Sequence, residues 1–267
     1  MPEFTLYNAP QSTCSQRVRF VLNAKGLDFA EHKLDLFAGD QLKPEYLKIN
    51  PNGVVPALLH NAQVVLDSAV IIEYLDETSA GRVSFTPEDP VARARMRWMM
   101  RYIDEIPTPA IRVPSYNLAF LPHFQNMSEE AFTALANSKP LRKEFLLSMG
   151  RTGFPKSEMD AALDRLNRAV LRMNEWILEG GGTWLMGDQL TLADIALMPV
   201  IVRMDDINLH AGWADKPAVS KWLEAIRGDA AYATTYYHGS LLTEKYPHLA
   251  DLRARRKSPR EGQRKAV

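Results

Sequence analysis

Two stretches of this chain carry residue types that could do chemistry together. The first is Ser12-Thr13-Cys14-Ser15-Gln16-Arg17-Val18-Arg19. It follows a strand-like run, Phe4-Thr5-Leu6-Tyr7, and a loop, and it opens a helix. A hydroxyl at such a junction can hydrogen-bond a bound thiol, and the positive end of the helix dipole favours the thiolate. Thiolate is the reactive form, so a site of this kind works by drawing a thiol pKa from about 8.5 towards neutrality. Ser12 and Ser15 are the candidate hydroxyls, and each could instead serve only as a helix cap. Cys14 is read as a packing or site-shaping cysteine.

The second stretch runs from Asn50 to Leu75. Asn50-Pro51-Asn52-Gly53 is turn punctuation. Pro56 begins a short apolar run, a place open to proline at a strand's first residue or on an edge. A cis Val55–Pro56 bond is expected, because such bonds occur chiefly before proline. His60-Asn61 marks a hairpin turn. After Val64-Val65-Leu66, Asp67-Ser68 closes a strand and opens an apolar helix. Free N–H groups, a hydroxyl and a carboxylate would meet there, which suits a small zwitterionic ligand.

The elements that must position these residues follow from pattern. Phe4–Tyr7 reads as a strand, and Cys14 or Ser15 caps a helix to about Lys25 with Gly26 past its end. Leu27–Leu36 reads as the second strand and Pro44–Ile49 as a short helix. The Asn50–Leu75 stretch then adds two strands and a helix to about Glu77, giving the order β-α-β-α-β-β-α. Gly81–Pro90 reads as a linker. Beyond it the chain is helical: Pro90 starts a helix that stops at Pro107, the proline-rich run to Pro122 reads as kinked or irregular, and Ser128 opens a helix to about Ala136. Ser157–Glu179 is a helix with Leu163, Leu166, Val170, Met173 and Ile177 on one face. Thr191 and Asp194 form a variant capping box before a helix that is apolar nearly all round, and Asp194 is read as a cap rather than a catalyst. Pro217–Ile226 is a further helix. The boundaries drawn are residues 1–80, a linker at 81–90, a helical domain at 91–250 and a basic tail at 251–267.

Composition removes several classes of function. The chain has 267 residues, 46% of them hydrophobic and 24% charged, with a formal net charge of zero. That balance is ordinary for a globular protein and gives no global reason to expect a nucleic-acid partner. A single cysteine excludes an intrachain disulfide and a multi-cysteine metal site. The six histidines are scattered, with no His-x-x-x-His pair, so no metal is expected. No run approaches the roughly 18 apolar residues of a membrane span. With a strand-like start and no leader pattern, a cytoplasmic protein without a membrane partner is expected. Leu252–Val267 holds seven Arg and Lys and is expected to be disordered.

Taken together, the order and spacing of these stretches resemble the cytosolic glutathione transferases. The resemblance covers about residues 3–235. It implies an α/β thioredoxin-like domain followed by an all-α domain, with glutathione as co-substrate. It puts the backbone of Val55, before Pro56, against the cysteinyl part of glutathione and Asp67-Ser68 against the γ-glutamyl end. Ser12-Thr13-Cys14-Ser15-Gln16-Arg17-Val18-Arg19 resembles the Ser-Ser-Cys-Ser-x-Arg-Val-Arg pattern of the zeta class, whose first serine activates the thiol; that role maps to Ser12, and in other serine branches to Ser15. The family's cysteine branches place the nucleophile five residues before the helix arginine, where this chain has Ser12. One departure stands out. The family's Gln or Lys that meets the glycine carboxylate is here Val54, leaving Gln41, Lys43 or Asn52 to compensate.

The branch is suggested by an insertion at about Asn126–Lys156. Met127-Ser128-Glu129-Glu130-Ala131-Phe132, Gly150-Arg151-Thr152-Gly153-Phe154-Pro155 and Glu158-Met159 are similar to the corresponding region of bacterial β-etherases, which cleave lignin β-aryl ethers. That resemblance implies a small aromatic substrate, with Tyr116, Phe120, Phe124 and Phe154 as ring-binding candidates. The zeta-like segment also implies a maleylacetoacetate-isomerase or general detoxifying activity. Val54 motivates a third reading, a non-catalytic subunit. The family implies a dimer, either of identical chains or with a related one.

Overall fold

The computed structural model describes residues 2–79 and 81–252. Alternating burial along Phe4–Asn8 makes it a strand, β1. Helix α1 (Thr13–Ala24) follows, with Val18, Phe20, Val21 and Leu22 fully buried. Its cap is Ser12, not Cys14 or Ser15. Strand β2 is Phe29–Lys33 and helix α2 is Pro44–Leu47. Strands β3 (Ala57–His60) and β4 (Gln63–Leu66) form a hairpin before helix α3 (Ser68–Thr78). The turn is Asn61-Ala62, one residue later than expected, with φ of 48° and 68°. Positive φ at both central residues matches the twist of a two-residue hairpin.

The sheet order is β2-β1-β3-β4. Strand β1 runs parallel to β2 and antiparallel to β3, with Leu6 opposite Leu58. This is the expected thioredoxin-like order, and it leaves the N-terminus of α1 and the turn before β3 at the same end of neighbouring strands.

The rest is helical. Helix α4 (Pro90–Glu105) is capped by Asp89 and buries Met96, Met99, Met100 and Ile103. Prolines then chop the chain into α5 (Pro107–Ala110) and α6 (Arg112–Ser115), a π turn at Tyr116–Phe120 and a 3-10 turn at Leu121–His123. Proline lacks an N–H and cannot hold a long regular helix together. The insertion folds into α7 (Glu129–Asn137), capped by Ser128, and α8 (Lys143–Met149), which sequence patterning missed. These two helices enclose a small separate core of Phe124, Phe132, Leu146, Met149 and Phe154.

Helix α9 (Lys156–Gly180) ends where Gly181 takes φ 71°. Helix α10 (Leu192–Asp206) is buried along its whole length. Its N-terminus is fixed by Asp194, which accepts from Thr191 N and Oγ1, Leu185 N and Trp222 Nε1 at 2.8–3.0 Å. Helices α11 (Pro217–Gly228), α12 (Ala230–Thr235) and α13 (Leu242–Lys245) follow, with a 3-10 turn at Pro247–Leu249. The basic tail lies outside the described residues, apart from its start.

The two halves are bolted together through α1. Arg17 is 1% exposed. Its guanidinium donates to Ala196 O of α10 at 2.8 Å, Thr108 Oγ1 at 2.8 Å and Ser68 Oγ at 3.2 Å, and pairs with Asp104 at 2.5 Å. Arg19, equally buried, donates to Thr235 O of α12 at 3.2 Å and to Pro10 O at 2.9 Å. Gln16 donates to Ser240 O at 3.2 Å.

Candidate functional site

A cavity of about 500 Å³ lies where the two halves meet. That is within the size range of small-molecule sites. One wall is the turn and helix start after β1, Pro10 to Cys14, with the loop at Leu34–Phe37. A second is Asn52–Val55 with Gln41. The third comes from the helical half: Arg112, Tyr116, Phe120, Phe124 and Arg142.

Ser12 sits on this surface as the N-cap of α1. Its Oγ accepts from Ser15 N at 3.2 Å. Accepting leaves the hydroxyl proton free to donate into the cavity. Among the described residues the N–H groups of Thr13 and Cys14 have no partner, as expected of a helix's first turn. An anion here meets a hydroxyl, open N–H groups and the dipole's positive end. Ser15, the second candidate, is fully buried, takes a 3.4 Å bond from Ala9 N and does not reach the cavity wall. Cys14 is a free thiol on the wall.

The Val55–Pro56 bond is cis. Val55 lines the cavity, and its N–H and C=O bond to no other described backbone group. The turn before it is held at the Val54 carbonyl, which accepts from Tyr46 Oη at 2.6 Å and Asn50 Nδ2 at 2.8 Å. Burial pushes the Tyr46 pKa up to about 12, so it remains a donor at neutral pH. Pro56 is buried behind this turn. Gln41 and Asn52 also line the cavity, whereas Lys43 pairs with Asp40 and does not. Gln41 is 3% exposed; its Nε2 donates to Leu36 O at 3.1 Å, and its Oε1 is buried without a partner.

Asp67 and Ser68 stand apart from the cavity lining. Asp67 is exposed at φ 71°, ψ 128°, with Oδ1 accepting from Ala69 N at 2.9 Å and Val70 N at 3.4 Å. A β-carbon residue at positive φ is strained, and such strain persists where the surroundings over-determine it. Ser68 is buried and its hydroxyl accepts from Arg17.

Three of the four aromatic candidates, Tyr116, Phe120 and Phe124, line the cavity; Phe154 packs in the small core instead. Sequence reasoning missed several lining residues. Phe37 stacks on His123 with centroids 3.8 Å apart and planes 9° apart, joining the two halves over the cavity. Burial lowers the His123 pKa, so the ring is neutral at pH 7. Arg112, Lys139 and Arg142 also face this space. They lie in proline-broken or interhelix segments with no periodicity to mark them.

Among the described residues no helix is long and apolar enough to cross a membrane, and no cluster of three or more His, Cys, Asp or Glu could hold a metal.

Comparison with known proteins bears on this geometry. Residues 11–78 match the model of the glutathione S-transferase N-terminal domain, and residues 125–229 that of the C-terminal domain. Protein LigF of Sphingobium sp. is 31% identical over 234 residues, covering 85% of this chain and 90% of LigF. A probable maleylacetoacetate isomerase of Caenorhabditis elegans is 30% identical over 231 residues, covering 86% and 92%. The crystal structure of β-etherase LigF superposes with a TM-score of 0.79 at 26% identity, covering 88% of this chain and 98% of that one.

Proposed function

The chain belongs to the glutathione S-transferase family, and from that premise we propose that it is a β-etherase, using glutathione thiolate to cleave the aryl ether of aromatic ketones. Glutathione is the family's co-substrate. The observation that carries the reading is the single cavity that joins the Ser12 helix start to the wall of Tyr116, Phe120 and Phe124.

In this reading Ser12 and the first turn of α1 hold the sulfur as thiolate. Val55 pairs its free backbone groups with the cysteinyl unit beside Pro56. Asp67 and Ser68 serve the γ-glutamyl end, and Gln41 and Asn52 stand nearest the glycine end that Val54 cannot serve. The thiolate attacks the carbon between ether oxygen and ketone. A C–S bond forms as the C–O bond breaks; the phenolate leaves with the electron pair and takes a proton from solvent. The ketone activates that carbon, while the protein supplies a thiolate, alignment and a cavity for two rings. Ser15 is a positioning residue here, since it is buried beneath Ser12.

The isomerase relative supports a second reading, cis–trans isomerisation of a maleylacetoacetate-like substrate. The two separate on stoichiometry: ether cleavage consumes glutathione and isomerisation does not. We place the chain in a dimer, of identical or related chains, because α3 and α4 expose Val70, Val91 and Trp98 at 54%, 77% and 53%.

The test is phenol release from an α-aryloxy aryl ketone with glutathione, alongside isomerisation of maleylacetone. Calorimetry of glutathione with Ser12→Ala and Asp67→Ala variants accompanies it. Release that depends on Ser12 supports the β-etherase. Isomerisation without glutathione loss supports the second reading. No binding at millimolar glutathione overturns both, and makes the chain a non-catalytic subunit.

A further inference from the structure

The cavity is strongly one-sided in charge. Lys33, Arg112, Lys139, Arg142, Arg203 and Lys245 line it, Lys33 paired with Glu31 at 3.5 Å, and its one lining carboxylate is Asp35. Asp35 is spoken for locally, its Oδ1 accepting from Phe37 N at 2.9 Å and Ala38 N at 3.0 Å. Arg203 donates to Ser115 Oγ at 3.3 Å and to Gln11 O at 2.5 Å. Lys139 reaches only the Leu36 carbonyl, at 3.5 Å.

Arg112 and Arg142 are different. The Arg142 guanidinium donates only to the neighbouring carbonyl of Leu141, at 3.0 Å, and the Arg112 guanidinium has no hydrogen-bond partner among the described residues. No described carboxylate lies within ion-pair distance of either. The two nonetheless repel one another: burial first, then Arg112, holds the Arg142 pKa below its usual value. Both charges are felt by Tyr116 of the aromatic wall, and Arg142 is close enough to interact with Cys14, two residues from Ser12. Half-buried cations placed side by side without a counter-ion cost free energy. A guanidinium fork matches a carboxylate bidentately.

We infer that Arg112 and Arg142 form a carboxylate-binding subsite on the aromatic wall, and that the second substrate of this transferase is an aromatic acid. The inference rests on the transferase reading above and narrows it to acid-bearing aryl ketone ethers. A carboxylate is also present on glutathione's glycine, so the site's occupant has two candidate sources. Position favours the second substrate: Arg112 and Arg142 belong to the helical half beside Tyr116, whereas the glycine end falls towards Gln41 and Asn52.

The experiment compares α-phenoxyacetophenone bearing a para carboxylate on the phenoxy ring with its primary amide, at saturating glutathione. The wild-type kcat/KM should favour the acid. Arg112→Gln and Arg142→Gln should each lower the acid-to-amide ratio roughly tenfold to hundredfold, the loss of a charge-assisted hydrogen bond. Arg142→Lys should restore part of it. Equal use of acid and amide by the wild type overturns the proposal. So does a loss that falls on glutathione and spares its glycine ethyl ester, which would give the arginines to the co-substrate. If neither ether is cleaved, the proposed reaction fails, and calorimetry of the acid with S-methylglutathione present decides the subsite alone. Arginine-dependent binding then upholds it, and no binding overturns it.

Discussion

Asp194 and the Arg112–Arg142 pair are opposite solutions to charge in a protein interior. Asp194 is completely buried, and four donors converge on its two oxygens. Burial raises its pKa, while the bonds from Leu185, Trp222 and Thr191 pull against that. The arginines line open space and have no acidic partner among the described residues. A polar group satisfied from within its own half belongs to the fold, and one left wanting belongs to whatever enters. Removing each should therefore produce effects of different kind as well as size.

The largest expected effect is at the satisfied site. Asp194→Ala strands four donors and should lower stability by about 3–5 kcal/mol, read as a shift in the urea midpoint. A loss below about 1 kcal/mol would mean that the box contributes little beyond ordinary capping.

Ser12→Ala belongs to both categories, since Ser12 caps α1 and faces the cavity. Stability should fall by about 1 kcal/mol. Turnover should fall roughly tenfold to hundredfold, with the pKa seen in the pH–rate profile of thiolate formation moving upward. A stability loss with an unchanged pH profile would reduce Ser12 to a cap.

Tyr46 and Tyr246 test buried phenols over pH. Burial raises both to about 12, above the unfolded value near 10. Their protonated forms are favoured by the fold, so that stability is fully present below about pH 10 and is lost as pH rises from about 10 to 12. At pH 11 each should contribute about 1 kcal/mol less than at pH 9, and Tyr46→Phe should flatten part of that fall in a denaturant series.

The smallest effect is expected at the unsatisfied pair. Arg142→Gln should leave stability unchanged or raise it by a few tenths of a kcal/mol at low salt, an increment that salt erases. A clear destabilisation would reveal a structural role and blur the contrast with Asp194.

Local chemistry made much of this legible. Thr191 and Asp194 announce a box because capping depends on residues three apart, and the cis bond and strand order follow from Pro56 and the punctuation around it. Ser12 reads from the sequence as a candidate hydroxyl and lies on the cavity wall, whereas the cap expected at Cys14 or Ser15 falls on Ser12, because any of these side chains could cap. Only the fold shows Ser15 turned inward. Arg17 gave no sign of binding Ser68, Asp104, Thr108 and Ala196, since those partners are far away in sequence. The arginine pair and the Phe37–His123 stack were invisible for the same reason: long-range proximity leaves no local period.

The bolting of α1 into the helical half also bears on entry to the cavity. Arg17, Gln16 and Arg19 each grip carbonyls or side chains of the helical half, from residues in the sheet half's own helix. For the two halves to part around what lies between them, each of these bonds would have to break. That fastening fixes the width of the opening, and with it the girth of what can enter between Ser12 and the aromatic wall.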